Sequence, residues 1–295
     1  MLRVISYVGL VICSVSFIVL VVMGSIAWSL QSTVFNLQKS IKYAEESGIY
    51  AQASEWIKKD LLGDPIESIK QTNAQSIFRD ARDTILSTIE FEPKFIDLHT
   101  QIWGYITNTR ELPQVILVPE IQSELLKAVD ENKDVLASYD EIKRILIQDF
   151  PETIDIANFL GQQDLSTNLT KIKDVYHTYQ IGTIGVYVFI LILLIVCILL
   201  TITLKNTSIW LGCLFLISCL FIGVVGITIH MLHPLLPWSD ITQQLPIDID
   251  RLISLVVSDI TEQLLLISGL LLAVSLLLFI TRWWKPWQQQ NPVSK

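Results

Sequence analysis

The chain has 295 residues, 51% hydrophobic and 17% charged, with a mean hydropathy of +0.50. Soluble domains hold about 25% charged residues and a smaller apolar share, so an ordinary soluble protein is excluded. The net charge of −8 argues against a nucleic-acid partner, since binding to phosphate rests on positive charge.

The apolar residues are clumped. Val4–Trp28, Ile181–Leu204, Ile209–Leu232 and Leu264–Thr281 contain no Asp, Glu, Lys or Arg. A bilayer core needs about 20 helical residues, so four spanning helices are expected: residues 4–28, 181–204, 209–232 and 264–281. The first run is too long for a cleaved signal, whose apolar region is about 7–15 residues, and reads as a retained anchor.

Residues 29–180 read as a mainly helical domain. "VFNLQKSIKYAEESG" has helical spacing and stops at Gly48, a residue suited to the position after a helix. "IYAQASEWIKKDLLG" repeats the scheme, and Asp64-Pro65-Ile66-Glu67 offers a helix start. Helices are expected over 74–89, from Pro93, from Pro119 to Val129 and over 134–148. "ELPQVILVPEI" breaks the rule: Val115, Ile116, Leu117 and Val118 lie between two prolines and read as one short strand at most. It has no evident partner in the sequence. Two readings fit, an extended connector or an edge awaiting another chain. "LSTNLTKIKDVYHTYQ" is expected to run straight into the second span, which would couple the domain to the membrane. Asn168-Leu-Thr170 matches a glycosylation acceptor, a pattern too short to carry weight.

Residues 233–263 form a smaller loop with three prolines. From Ile249 the apolar positions 249, 252, 253, 256, 257 and 260 trace one helical face, which fits an interfacial helix or a lead-in to the fourth span. Residues 282–295 form a tail with Trp283, Trp284 and Trp287. Trp28 and Trp238 at one boundary, and Trp210 with the tail group at the other, form an aromatic belt. The tail tryptophans also suit a partner contact.

Charge gives the orientation. With the N-terminus cytoplasmic, the inner segments hold Arg3, Lys205, Arg282, Lys285 and Lys295 and no acid. All 29 acidic residues then lie outside with 16 basic ones, a net outer charge of −13. Short basic loops stay in the cytoplasm, so both termini are expected inside, with 29–180 and 233–263 extracytoplasmic. Lys205 fixes the inner turn between spans two and three.

Little chemistry is visible. Cys13, Cys197, Cys213 and Cys219 all sit in apolar runs, so no disulfide framework is expected. The spans lack the ionisable residues that mark transport or proton relay. Gly223, Gly226, Gly269 and Ala273 are small enough for close helix contact. His230, His233 and Asp240 are weak metal-ligand candidates, because Pro234 disrupts the helix that would hold them. His99 and His177 stand alone. Glu45-Glu46 reads as a solvated face, and no nucleophile elbow or nucleotide-binding loop occurs. No catalytic residue and no cofactor are expected.

Three stretches together, "ESGIYAQASEWI", "IWGYITNTRELPQVILVPEIQSELL" and "FPETIDIANFL", resemble a group of uncharacterised bacterial four-helix integral membrane proteins. Members of that group carry a helical extracytoplasmic domain between the first two spans. The resemblance implies an architecture and no activity. The expected protein is all-α and membrane-embedded, a non-enzymatic envelope protein whose outer domain binds a partner or ligand. The alternatives are an accessory subunit of a transport or envelope-assembly complex and an outer-face hydrolase. Expected partners are the lipid bilayer and a membrane or envelope protein; homo-oligomerisation is left open.

Overall fold

The computed structural model describes residues 2–55, 91–111, 115–117, 123, 126–127, 130–131, 143–144, 153–155, 165–203, 207–235 and 249–290. Its helices are α1 (Leu2–Ser32), α2 (Leu37–Ser47), α3 (Phe91–Ile106), α4 (Leu165–Thr203), α5 (Thr207–Leu232) and α6 (Asp250–Gln290). Two three-residue strands, β1 (Val115–Leu117) and β2 (Thr153–Asp155), lie between α3 and α4. The helices predicted over 74–89 and the start at Asp64 lie outside the described residues, as do most of 119–129 and 134–148.

The chain divides into two compact units. The first comprises Met1–Ser40, Thr178–Ile241 and Asp250–Lys295; the second comprises Ile41–His177 and Thr242–Ile249.

Among the described residues, four helical segments are long and apolar enough to cross a membrane: Tyr7–Ser32, Thr167–Ile202, Thr207–Leu232 and Asp250–Trp283. The chain thus carries the helices of a multi-pass membrane protein. The stretch before the second run does continue into it as one 39-residue helix, α4. The residues from Asp250 likewise form a lead-in, continuous with the fourth run in the 41-residue α6. At about 1.5 Å per residue, each is roughly twice the 30 Å of a hydrocarbon core.

The two faces of α1 explain how the first unit packs. Tyr7, Val11, Val15, Val19 and Met23 recur every fourth residue and are exposed. Such a continuous apolar stripe is costly in water and suited to lipid. Between these positions α1 buries Leu10, Ser14, Phe17, Ser25 and Ser29. One core cluster joins Phe17 to Cys197 near the end of α4 and Leu214 near the start of α5. Another joins Ile222, Ile260 and Leu264 to Val22, Ile26 and Leu30 of α1.

Lipid tails are as apolar as leucine, so close backbone approach and hydroxyl bonds must hold the helices together. Ser275 Oγ of α6 donates to the Gly212 carbonyl of α5 at 2.8 Å, and Ser268 Oγ donates to the Cys219 carbonyl at 3.0 Å. The seven-residue step from Gly212 to Cys219 is matched by the seven-residue step from Ser275 back to Ser268. That repeat keeps one seam in register between antiparallel helices. A step further, a Cβ on Gly226 would touch Leu264 Cβ at 3.4 Å. Gly223 also faces α6, at Ser268. Gly269 and Ala273 are exceptions among the small residues singled out: a Cβ on Gly269 would meet nothing within 4 Å, and Ala273 is exposed. Tyrosines fasten α4 to α1: Tyr179 Oη donates to the Ala27 carbonyl, and Tyr187 Oη donates to that of Gly24 at 3.3 Å.

In the second unit, Gly48 ends α2 as expected, with φ 78° and its N–H bonded to the Glu45 carbonyl at 3.0 Å. Helical structure resumes over 49–55, and Tyr43, Ala44, Ser47, Tyr50, Ala53 and Ser54 are buried. The helix predicted to open at Pro93 is present as α3, described from Phe91 onward. Its other end closes on Asn108 at φ 66°, with Thr109 N bonded to Gly104 O at 2.8 Å and Asn108 N to Tyr105 O at 3.1 Å. These are the paired bonds of a Schellman motif, with asparagine in the left-handed position.

The 115–118 segment departs from expectation. Val115–Leu117 is a strand with a partner: it pairs antiparallel with Thr153–Asp155, Ile116 opposite Ile154. Among the described residues there are therefore two short strands where at most one was expected. The partner was hidden because "TID" is too short to show alternation. Val118 lies outside the described residues.

Candidate functional site

Two polar constellations stand out, one in each unit. In the second unit, α3 presents Phe91, Phe95 and His99 at four-residue steps, which place them on one face. Phe91 and Phe95 are buried. His99 Nδ1 lies 2.7 Å from Tyr50 Oη, and the rings meet edge-on. Burial and the nearby carboxylates of Glu45 and Glu92 push the Tyr50 phenol up to about 12. Burial holds the His99 imidazole below its ordinary value. Both shifts favour the neutral pair, joined by one hydrogen bond between Oη and Nδ1. A general acid or base is tuned toward the working pH; this pair is tuned away from it. It acts as a fastener between 49–55 and α3. The sequence reading left His99 without a partner, although its place four residues after Phe95 marked it as a core-facing position.

Further along α3, Tyr105 Oη bonds Thr170 Oγ1 of α4 at 2.9 Å, and Lys173 Nζ sits 4.5 Å from the Tyr105 ring centroid. Trp103 packs near Tyr176, with ring centroids 6.3 Å apart. Asn168-Leu-Thr170 therefore lies within a helix.

In the first unit, Lys39 Nζ pairs with Asp259 Oδ2 of α6 at 2.6 Å. Gln263 Nε2 donates to the same oxygen at 3.4 Å, and Ser32 Oγ donates to Gln263 Oε1. Asn36 positions the lysine by capping α2: its Oδ1 accepts from Lys39 N at 3.3 Å. This cap went unread in the sequence, because Val34 and Phe35 carried the helical pattern past it. Both charges of the pair are partly in solvent, so it is worth at most about 1 kcal/mol. Lys39→Met is expected to lower the stability of the detergent-solubilised protein by no more than that, with the loss shrinking as salt is added. A larger, salt-insensitive loss would mean that the pair is desolvated.

The other candidate residues are scattered. His230 is exposed in the last turn of α5, His233 is half-buried in a 3-10 turn, and Asp240 lies outside the described residues. Among the described residues, no three His, Cys, Asp or Glu side chains come together as metal ligands. Val115, Ile116 and Leu117 form β1. Trp283 is 87% exposed near the end of α6, and Trp284 and Trp287 follow in the same helix. Glu45 and Glu46 are exposed.

Comparison with protein-family models, curated proteins and solved structures finds no match.

Proposed function

We infer that the protein is a membrane-anchored binding protein. Its four apolar helices hold it in the bilayer, and residues 29–180, on the outer side, engage a protein partner without catalysing a reaction. The observation that carries this reading is the β1–β2 ladder. Among the described residues β1 pairs with β2 alone, through one backbone edge, and a second edge suits addition of a partner's strand. The Tyr50–His99 pair, tuned toward neutrality, favours a structural role for the domain's buried polar groups. Ser and Thr hydroxyls bonded to helix carbonyls within the first unit suit an anchor. The sidedness rests on the purely basic inner segments, Arg3, Lys205, Arg282, Lys285 and Lys295.

A photo-crosslinking amino acid placed at Ile116 is expected to link the protein, in its native membrane, to one partner that also co-purifies at fixed stoichiometry in mild detergent. The same probe at Trp283 should give no link to that partner. Crosslinking from Trp283 alone would move the contact to the tail. The absence of any stoichiometric partner overturns the reading.

A further inference from the structure

A pocket of about 400 Å³ opens between the start of α5 and the end of the apolar part of α6. Its lining is Ile209, Phe279, Ile280, Arg282 and Trp283: four apolar side chains and one cation. The volume lies within the roughly 300–1,000 Å³ range of small-molecule sites. The uncharged stretch of α6 ends at Thr281, so Arg282 and Trp283 stand where a spanning helix meets the headgroup layer.

Charge decides what fits. No acid occurs in residues 263–295 or 175–239. Among the described residues, no carboxylate pairs with Arg282. A guanidinium beside an apolar cavity calls for an anion that brings its own apolar body, and its planar fork matches phosphate oxygens. A spanning helix from a second copy would fill the cavity but supply no anion, since all four apolar runs lack acids.

We propose that this pocket binds an anionic phospholipid, one acyl chain lying against Ile209, Phe279 and Ile280 while the phosphate pairs with Arg282. The exposed Trp283 indole covers the chain at headgroup level. Basic groups at such sites recognise anionic headgroups, each contributing about 1 kcal/mol.

The test uses full-length protein reconstituted in nanodiscs of equal phosphatidylglycerol and phosphatidylcholine, extracted into mild detergent and weighed by native mass spectrometry. One phosphatidylglycerol per chain is expected to be retained in preference to phosphatidylcholine. Arg282→Gln should weaken that preference about five- to tenfold. Ile280→Trp, which fills the cavity and leaves the cation in place, should reduce retention of both lipids. Circular dichroism and melting temperature serve to show that each variant is folded. Equal retention of the two lipids, or a preference unchanged in Arg282→Gln, overturns the proposal. So does a dimer without bound lipid, which would assign the pocket to a second copy.

Discussion

Gly212→Leu is expected to destabilise the protein by about 1–3 kcal/mol, the usual cost of forcing extra carbons into a packed contact. A Cβ at Gly212 would lie 3.0 to 3.3 Å from three atoms of the Phe279 ring. Moving that ring disturbs the helix that carries Ser275, whose hydroxyl bonds the Gly212 carbonyl at 2.8 Å. Gly269→Leu is the matched control. A Cβ there meets nothing within 4 Å, so its effect should stay within about 0.5 kcal/mol, as for substitutions that touch no packed feature. Titrating both variants with a denaturing detergent, read by circular dichroism, gives the comparison. If Gly269→Leu proved the more damaging, the α5–α6 seam would have to be rotated onto the Gly269–Ala273 face.

That pair of glycines also shows what the sequence reveals and what it hides. The spans were legible because composition alone separates charge-free runs of 18 to 25 residues from the rest. Gly48 was legible too, because a left-handed helix end favours glycine. Choosing among small residues was harder. Gly269 and Ala273 match a familiar spacing, yet the contact runs through Gly212, Cys219, Ser268 and Ser275, two matched heptad steps visible only when α5 and α6 are compared in opposite directions. The β1–β2 ladder failed for a related reason: its partner lies 38 residues away, and three residues give no alternation to read. Tyr50 and His99 are 49 positions apart, and periodicity within one helix says nothing about which core-facing side chains meet. Each missed contact joins separate elements, and each legible feature is local.

The Tyr50–His99 contact makes the second large prediction. Tyr50→Phe removes the hydrogen-bond partner of a mostly buried imidazole nitrogen, and such a loss costs about 1–3 kcal/mol. His99→Gln offers the phenol an amide oxygen instead and should cost less. The pH dependence separates the bond from the burial. Burial lowers the folded-state value of His99 below its ordinary 6.5. As pH falls through 6.5, the unfolded chain therefore takes up a proton before the folded one does. Stability then rises with pH over that interval: it is intact above 6.5 and is lost as pH falls from there toward the folded value. Wild-type stability minus that of His99→Gln should therefore shrink between about pH 7.5 and 5.5, by no more than about 1.4 kcal/mol per pH unit. Because burial causes the shift, Tyr50→Phe should keep this dependence while losing stability at every pH. A difference that grows on acidification would mean that the folded protein prefers the imidazolium, and the neutral fastener would give way to a proton-binding site.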